Sequence, residues 1–425
     1  MLNMKDAKGR PVIVVTGTGI VTALGEGKKD NWDALTAGRS GIHSITRFPT
    51  EGLRTTIGGT IDFLDVDPFN CSELTTEMAT RAASEAVSQS GVGAKGDFPG
   101  PLFLGMPPIE MEWPMREKLL AMAGKTDSAS YSDLFRASRS ASDTDRVDCL
   151  FGSVGERLAS TFGTKGSPIS LTTACASGAT AIQHAIESIR RGESGAALAV
   201  AADGSMYPET MIRFSLLSAL STQNDAPEKA SRPFSKNRDG FVMAEGAAAL
   251  VIESHEHAKA RGAKILGVIA GGGEKSDSFH RTRSNPDGIA ITGAIRNALE
   301  DAGLSPDAID YINAHGTGTP ENDKMEHYAV HTIFGERAST LPISSNKSMI
   351  GHTLTAAGAI EAVVSLLTLE HQRIPPTINH EIPDPAIELD VVPNTARDAS
   401  ISTVMSNSFG FGGQNASLIF SAEPV

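Results

Sequence analysis

A faint internal duplication constrains this chain more than any other feature. Ala176-Ser-Gly178-Ala-Thr-Ala-Ile has a counterpart in Ala356-Ala-Gly358-Ala-Ile-Glu-Ala, and in both places a polar loop hands over to a helix start. A second pair is Gly240-Phe-Val-Met-Ala-Glu-Gly-Ala-Ala-Ala-Leu250-Val and Gly410-Phe-Gly-Gly-Gln-Asn-Ala-Ser-Leu418-Ile, each running from a Gly-Phe turn into an apolar strand. Between these markers strand and helix signals alternate, as in the helix predicted over Ile289 to Ala302 and the strand from Ala308 to Asn313. Such alternation favours mixed, mostly parallel sheets covered by helices. The break between the two halves is expected near Arg261-Gly262, after the charged, helix-like stretch Glu253 to Ala260, giving 1–262 and 263–425. The 425 residues suffice for two or three average domains or one large double-layered α/β unit.

Chemistry concentrates at three loops. Leu171-Thr-Thr-Ala-Cys175-Ala-Ser-Gly178-Ala places a thiol at the mouth of a helix predicted over Ala176 to Arg191, with apolar positions at Ala179, Ile182, Ile186 and Ile189. The free N–H groups and positive dipole end of such a helix favour a thiolate, which makes Cys175 a candidate nucleophile; the competing reading is a small buried cysteine. Asn313-Ala-His315-Gly-Thr317-Gly-Thr319-Pro320 follows a predicted strand, Ile309 to Ile312, and Ser344-Ser-Asn-Lys347-Ser-Met-Ile-Gly351-His352 precedes a predicted helix, Ala356 to Leu369. Each histidine therefore ends an element, where side chains face a site. One Cys and two distant His in such loops point to covalent catalysis without identifying the electrophile.

Composition removes several function classes. With 50 acidic against 37 basic residues and a formal charge of −13, a general nucleic-acid or anionic-membrane role is disfavoured. The cysteines, Cys71, Cys149 and Cys175, have neither metal-ligand spacing nor a disulfide framework. The start, Met-Leu-Asn-Met-Lys-Asp-Ala-Lys-Gly-Arg, lacks the apolar core of a signal peptide and leads into a strand predicted from Val12 to Thr16. No apolar run approaches a membrane span. A reduced, cytoplasmic protein without membrane insertion is expected.

Five segments together carry a family resemblance: Thr-Ala-Cys175-Ala-Ser-Gly, Arg232-Pro-Phe-Ser-Lys-Asn-Arg238-Asp239-Gly240-Phe, Asn-Ala-His315-Gly-Thr-Gly-Thr, Asn346-Lys347-Ser-Met-Ile-Gly-His352, and Asn407-Ser-Phe409-Gly-Phe411-Gly-Gly-Gln-Asn415. In this order, across nearly the whole chain, they resemble the elongating β-ketoacyl-acyl-carrier-protein synthases, the condensing enzymes of dissociated fatty-acid synthesis. The resemblance implies an α/β, thiolase-like fold of two duplicated halves, a homodimer, and an active site where the halves meet. It implies decarboxylative condensation of malonyl-carrier with an acyl thioester through an acyl-Cys175 intermediate, giving 3-oxoacyl-carrier and carbon dioxide. His315 and His352 would donate N–H groups to the malonyl thioester oxygen, and the backbone N–H groups of Cys175 and Phe411 would form an oxyanion hole. Lys347 would act electrostatically and orient its neighbours. Thr317 and Thr319 offer hydroxyls for the amides of pantetheine, with local turn bonding as the competing use. Phe411, beside Phe409, matches a gate that moves on acylation, and Asp323 and Glu326 match acidic positions that hold the site together. The chemistry requires no metal or diffusible cofactor, since phosphopantetheine arrives on the acyl carrier protein.

Three departures bear on specificity. Phe103-Leu-Gly-Met-Pro-Pro-Ile-Glu-Met-Glu-Trp113-Pro-Met-Arg-Glu-Lys-Leu-Leu120 replaces a glycine-rich turn and acyl-pocket residues, and adjacent prolines cannot make that turn. Ser72-Glu-Leu-Thr-Thr-Glu77-Met-Ala-Thr-Arg81 is neutral or acidic where relatives carry a basic patch for the carrier, and Ser218 stands where arginine is common. A particular carrier, or docking through Arg81 and Arg213, is therefore expected, with specialised lipid or polyketide synthesis as the alternative pathway. A thiolase would need a second cysteine near the C-terminal glycine-rich loop, and a non-catalytic chain-length partner would lack Cys175. The glycine spacing of Thr16-Gly17-Thr-Gly19-Ile-Val-Thr-Ala-Leu-Gly25 departs from the dinucleotide fingerprint.

Overall fold

Runs such as Ala196-Ala-Leu-Ala-Val-Ala-Ala202 and Gly246-Ala-Ala-Ala-Leu-Val-Ile252 have no polar side, the pattern of strands covered on both faces. Both are buried strands in the computed structural model, which describes residues 5–67, 69–109, 112–124, 128, 130–139 and 150–424. Cys149, and Glu110 and Met111 of the divergent stretch, lie outside the described residues.

The principal strands are β1 (Ile13–Thr22), β2 (Leu102–Gly105), β3 (Ile169–Leu171), β4 (Ala196–Asp203), β5 (Gly246–Ser254), β6 (Gly267–Ser276), β7 (Tyr311–Asn313), β8 (Pro342–Ser344), β9 (Asp390–Val391), β10 (Thr403–Phe409) and β11 (Gln414–Ser421). With the short Gly25–Glu26 strand on β1 they form a 12-stranded sheet, ordered β9-β8-β7-β10-β11-β6-β1-β5-β4-β2-β3. Its seam is the antiparallel pairing of β1 with β6, Ile13 opposite Ile269. From the seam one arm runs through β5 and β4, both antiparallel, then β2 and β3, both parallel. The other runs through β11 and β10, both antiparallel, then β7 and β8, both parallel. The same order of pairings thus occurs twice.

Helices fill the space between and outside the arms. On β4, Ala197, Ala199 and Ala201 share a core with helices α2 (Ser177–Arg190) and α5 (Ala357–His371), while Leu198, Val200 and Ala202 share another with α1 (Cys71–Ser90). Ile312, Ile343, Met405 and Ile419 pack with α3 (Ile289–Ala302) and α4 (Pro320–Phe334). Because α2 and α5 touch both arms, they form the middle layer, and every residue of α5 from Ala357 to Leu369 is buried. Leu354–His371 corrects the expectation that no apolar run approaches a membrane span: its length and hydropathy would suit one, but it is buried as the core helix between the layers.

The repeated glycines have steric roles. A Cβ at Gly178 would fall 2.5 Å from the Ala359 nitrogen, and one at Gly358 would fall 2.7 Å from the Ala179 nitrogen, so the duplicated segments are where α2 and α5 cross. Gly17 and Gly19 let α1 lie on β1, since their Cβ atoms would stand 2.0 Å from the Ala86 and Ala82 carbonyl oxygens. Gly271 and Gly273 perform the same service for α3 on β6. The Thr16 to Gly25 segment is consequently strand through Thr22, longer than the predicted Val12 to Thr16, and not a phosphate loop.

Other boundaries moved modestly. The helix predicted over Ile289 to Ala302 is observed at those limits, whereas the strand before His315 is only Tyr311–Asn313 because a 3-10 turn occupies Pro306–Ala308. The helix-like stretch Glu253 to Ala260 is a correction: β5 continues to Ser254, whose side chain caps a short helix, His255–Ala260.

Candidate active site

Cys175 stands at the mouth of α2, on a turn that the sequence forces tight. Ala174 is left-handed at φ 50°, an uncommon conformation for a residue bearing a Cβ. Ser177 Oγ staples the turn, accepting the Thr173 N–H at 2.8 Å and donating to the Ala174 carbonyl at 2.6 Å. Gly410 closes from the opposite side, where a Cβ would meet the Thr173 carbonyl oxygen at 2.9 Å and the Cys175 nitrogen at 3.3 Å. That close approach brings the Phe411 N–H to the thiol as a hydrogen-bond donor.

His352 is fixed through its backbone. Its N–H donates to Val242 O at 2.7 Å and its carbonyl accepts from the Ala244 N–H at 3.0 Å, which sets Nε2 3.1 Å from Cys175 Sγ. The Phe241 ring meets the imidazole edge-on at 5.2 Å. His315 lies just beyond β7, and α4 holds its loop: Glu326 accepts the N–H groups of His315 at 2.9 Å and Gly316 at 2.7 Å. Asp323 accepts those of Phe234 at 2.7 Å and Gly318 at 3.2 Å. The two imidazoles stand 5.3 Å apart, nearly perpendicular, with Phe409 5.9 Å from His315.

Lys347 is buried, with a side chain 4% exposed, and is not a solvated loop charge. Its Nζ pairs with Glu361 on α5, donates to His315 O at 2.6 Å and lies 3.3 Å from His315 Nδ1. A lysine ammonium can only donate, so Nδ1 accepts and the His315 proton resides on Nε2. Burial and the Lys347 charge hold both imidazoles well below the usual histidine range, with His352 adding to the effect on His315, so both are neutral at pH 7. Burial pushes Glu361 up to about 7 while the touching lysine pulls it down. Burial also raises the Cys175 thiol to about 11, against the pull of the Phe411 N–H and of Lys347. The helix mouth favours the thiolate, but at rest desolvation outweighs it.

The donor atoms of Cys175, His315 and His352 lie within 4.8 Å of one another, a set a soft divalent ion could use. Lys347 opposes that use, since it protonates His315 Nε2 through the tautomer and adds positive charge beside the cluster. A cavity of about 510 Å³ opens over Cys175, lined by His315 and His352, by Phe409 and Phe411, by Thr317 and Thr319, and by the divergent Pro107 and Pro108. Thr317 and Thr319 bond to each other at 2.8 Å, and Thr319 also caps α4. Phe409 is the last residue of β10, so only 410–413, with Phe411, is loop.

The structure brings together all ten candidate residues; Asp323 and Glu326 sit behind the cavity and the others face it or touch its lining. Sequence reasoning missed Glu361, although it is the lone charge in the apolar run Ala356 to Leu369 and that isolation was a signal. It also missed Asp203, which accepts the Thr355 hydroxyl at 2.6 Å and ties the turn after His352 to β4. The segment Ser72 to Arg81 forms the first half of α1, where Arg81 pairs with Glu77 and Glu26. Arg213 lines the cavity.

Comparison with known proteins places this geometry. Residues 10–94 and 119–258 match the profile of the β-ketoacyl synthase N-terminal domain, and 266–381 match that of its C-terminal domain. The chain is 39% identical to "3-oxoacyl-[acyl-carrier-protein] synthase 2" of Coxiella burnetii, covering 96% of this chain and 98% of the relative. It is 38% identical to "Putative polyketide beta-ketoacyl synthase 1" of Streptomyces cyaneus, covering 96% and 97%. Among solved structures, a type II polyketide acyl-carrier protein in complex with its ketosynthase superposes with a TM-score of 0.85 at 33% identity, covering 97% of this chain and 100% of the other.

Proposed function

Since the chain belongs to the β-ketoacyl synthase family, we propose the following division of labour among its residues for the decarboxylative condensation of fatty-acid elongation. The protein is an acyltransferase of thiolase-like fold whose partner is an acyl carrier protein. Cys175 Sγ attacks the acyl thioester, and the carrier's pantetheine thiolate leaves and takes the thiol proton. His352 Nε2, 3.1 Å from Sγ, is placed to donate its N–H to the sulfur as charge develops there, so a thiol held near 11 still reacts at neutral pH. Malonyl-carrier then enters. Its carboxylate leaves as carbon dioxide, and the electron pair becomes an enolate whose oxygen is met by the N–H groups of His315 and His352. The enolate carbon attacks the acyl-Cys175 carbonyl, whose oxyanion is held by the backbone N–H groups of Cys175 and Phe411. Collapse expels the Cys175 thiolate, which takes up a proton, and releases 3-oxoacyl-carrier.

The single observation carrying this assignment is the convergence of a thiol and two neutral imidazoles under a buried Lys347 that fixes the His315 tautomer. Lys347 orients and polarises. Phe411, with Phe409 beneath it, gates the cavity, Thr317 and Thr319 bind the pantetheine amides, and Asp323 and Glu326 support the His315 loop. The protein needs no resident metal or diffusible cofactor, the phosphopantetheine coming with the carrier.

We place the halves at 1–262 and 263–425, a division supported by the repeated strand order on either side of the β1/β6 seam. A homodimer is supported by the sheet edge at β3, where Ile169 is exposed, and by exposed Trp113, Tyr131 and Phe135. A cytoplasmic location fits the free thiol chemistry and the carrier-borne substrates. The acidic chain favours a particular carrier, or docking through residues such as Arg81 and Arg213, and Pro107 and Pro108, which line the cavity, shape an acyl pocket of its own. The test is a panel of malonyl-carrier with acyl-carriers from short to very long chains, products read by mass spectrometry. Elongation of ordinary saturated chains on the general fatty-acid carrier supports fatty-acid elongation, whereas turnover confined to a dedicated carrier would assign the protein to specialised synthesis.

A further inference from the structure

We propose that His327 and His331, joined by the carboxylate of Glu388, form a binding site for a borderline-soft divalent cation of the zinc class, separate from the catalytic residues. The two histidines are four residues apart on α4, which puts both imidazoles on one face of the helix. Their ring centroids are 4.5 Å apart with an interplanar angle of 58°. A second observation lifts the pair above mere spacing: His327 Nε2 is buried and has no hydrogen-bond partner among the described residues. An unsatisfied buried nitrogen is costly, and a bound cation would remove that cost.

Two carboxylates bear on the pair, those of Glu388 and Asp384. Asp384 is taken, since Arg238 donates to it at 2.6 Å. Glu388 is exposed and makes no ion pair among the described residues, and its backbone carbonyl already faces His331 Nε2 at 2.9 Å. The proposed site takes this carboxylate as its third ligand after a rotation of the Glu388 side chain, with His331 ligating through Nδ1 because its Nε2 is engaged by that carbonyl. Two imidazoles, one carboxylate and a water make a ligand set that zinc accepts, whereas magnesium and calcium prefer oxygen donors. Burial keeps His327 neutral, as a ligand must be. The site would clamp the second half of α4 to the 381–389 segment, directly after Glu326 and its hold on the His315 loop.

Cys175, His315 and His352 form a competing metal-capable set, so the test uses the full chain carrying Cys175→Ala. Zinc(II), cobalt(II) and magnesium(II) are titrated calorimetrically into this protein and into versions that add His327→Ala, His331→Ala or Glu388→Ala. The expected result is one class of zinc and cobalt site and no magnesium binding. Loss of either histidine should weaken affinity by more than the roughly 10- to 100-fold that loss of an outer-shell partner costs, with a smaller effect at Glu388. His331 is half-buried, and an unchanged metal-free melting temperature in His331→Ala shows that its fold is intact. Absence of binding in the Cys175→Ala protein, or binding that survives both histidine substitutions, would overturn the proposal.

Discussion

Replacing Glu361 by glutamine should damage stability and chemistry together, and a second substitution should separate them. Glu361 and Lys347 form a contact pair with side chains only 3% and 4% exposed. Glu361→Gln keeps the volume and one acceptor but leaves the ammonium buried without its counter-charge. Breaking a buried pair from one side costs about 3–5 kcal/mol. Unfolding entropy of about 2.1 cal/mol/K per residue over this chain is roughly 0.9 kcal/mol/K, so Tm should fall by about 3–6 °C. Carbon dioxide release from malonyl-carrier should fall as well, because a displaced Lys347 no longer fixes Nδ1 of His315. The double variant Lys347→Met with Glu361→Leu removes both charges and should recover most of the lost Tm, as apolar replacement of buried pairs does. It should not recover decarboxylation. Scanning calorimetry and labelled carbon dioxide release report the two properties. A double variant that decarboxylates at the wild-type rate would refute the role given to Lys347.

Three further outcomes are expected. Cys175→Ala should abolish acyl-enzyme formation while leaving the melting curve nearly unchanged, checked by intact mass after incubation with acyl-carrier; acylation at the wild-type rate would remove Cys175 from the mechanism. With a thiol raised to about 11, alkylation of Cys175 by iodoacetamide should rise close to tenfold per pH unit from pH 7 to 9.5; a plateau near pH 7 would mean a resting thiolate. If the carrier docks away from a conventional basic patch, condensation with the general fatty-acid carrier should be slow and depend weakly on salt. Efficient turnover that falls steeply with ionic strength would contradict this.

Cys175 and both histidines were legible as candidate site residues because each occupies a short Gly-containing polar loop between apolar elements, where few other roles compete. The layered fold was legible in the alternation of strand and helix signals, as at Ile289 to Ala302 and Ala308 to Asn313, because each element shows an apolar side that another layer must cover. Glu361 was harder, for its partner Lys347 is on another element and only the fold brings them into contact. The reach of β1 to Thr22 was hidden because Gly17 and Gly19 look like turn residues locally, and their real purpose depends on the carbonyls of α1. The thiol's resting state was hidden for a similar reason: the helix mouth is local, while the burial that raises the thiol comes from remote segments. Chain length and carrier choice depend on how Pro107 and Pro108 and the charged surface are arranged in space, which periodicity does not encode.

The most direct test of the central claim compares two half-reactions in His315→Ala and His352→Ala. Labelled carbon dioxide release from malonyl-carrier reads decarboxylation, and intact mass reads acylation of Cys175. Loss of one preorganised N–H donor should cost on the order of 3 kcal/mol, roughly a hundredfold in decarboxylation, while each variant still acylates Cys175 to the wild-type stoichiometry. Unchanged carbon dioxide release in both variants would contradict the account, leaving the histidines as structural neighbours of the thiol.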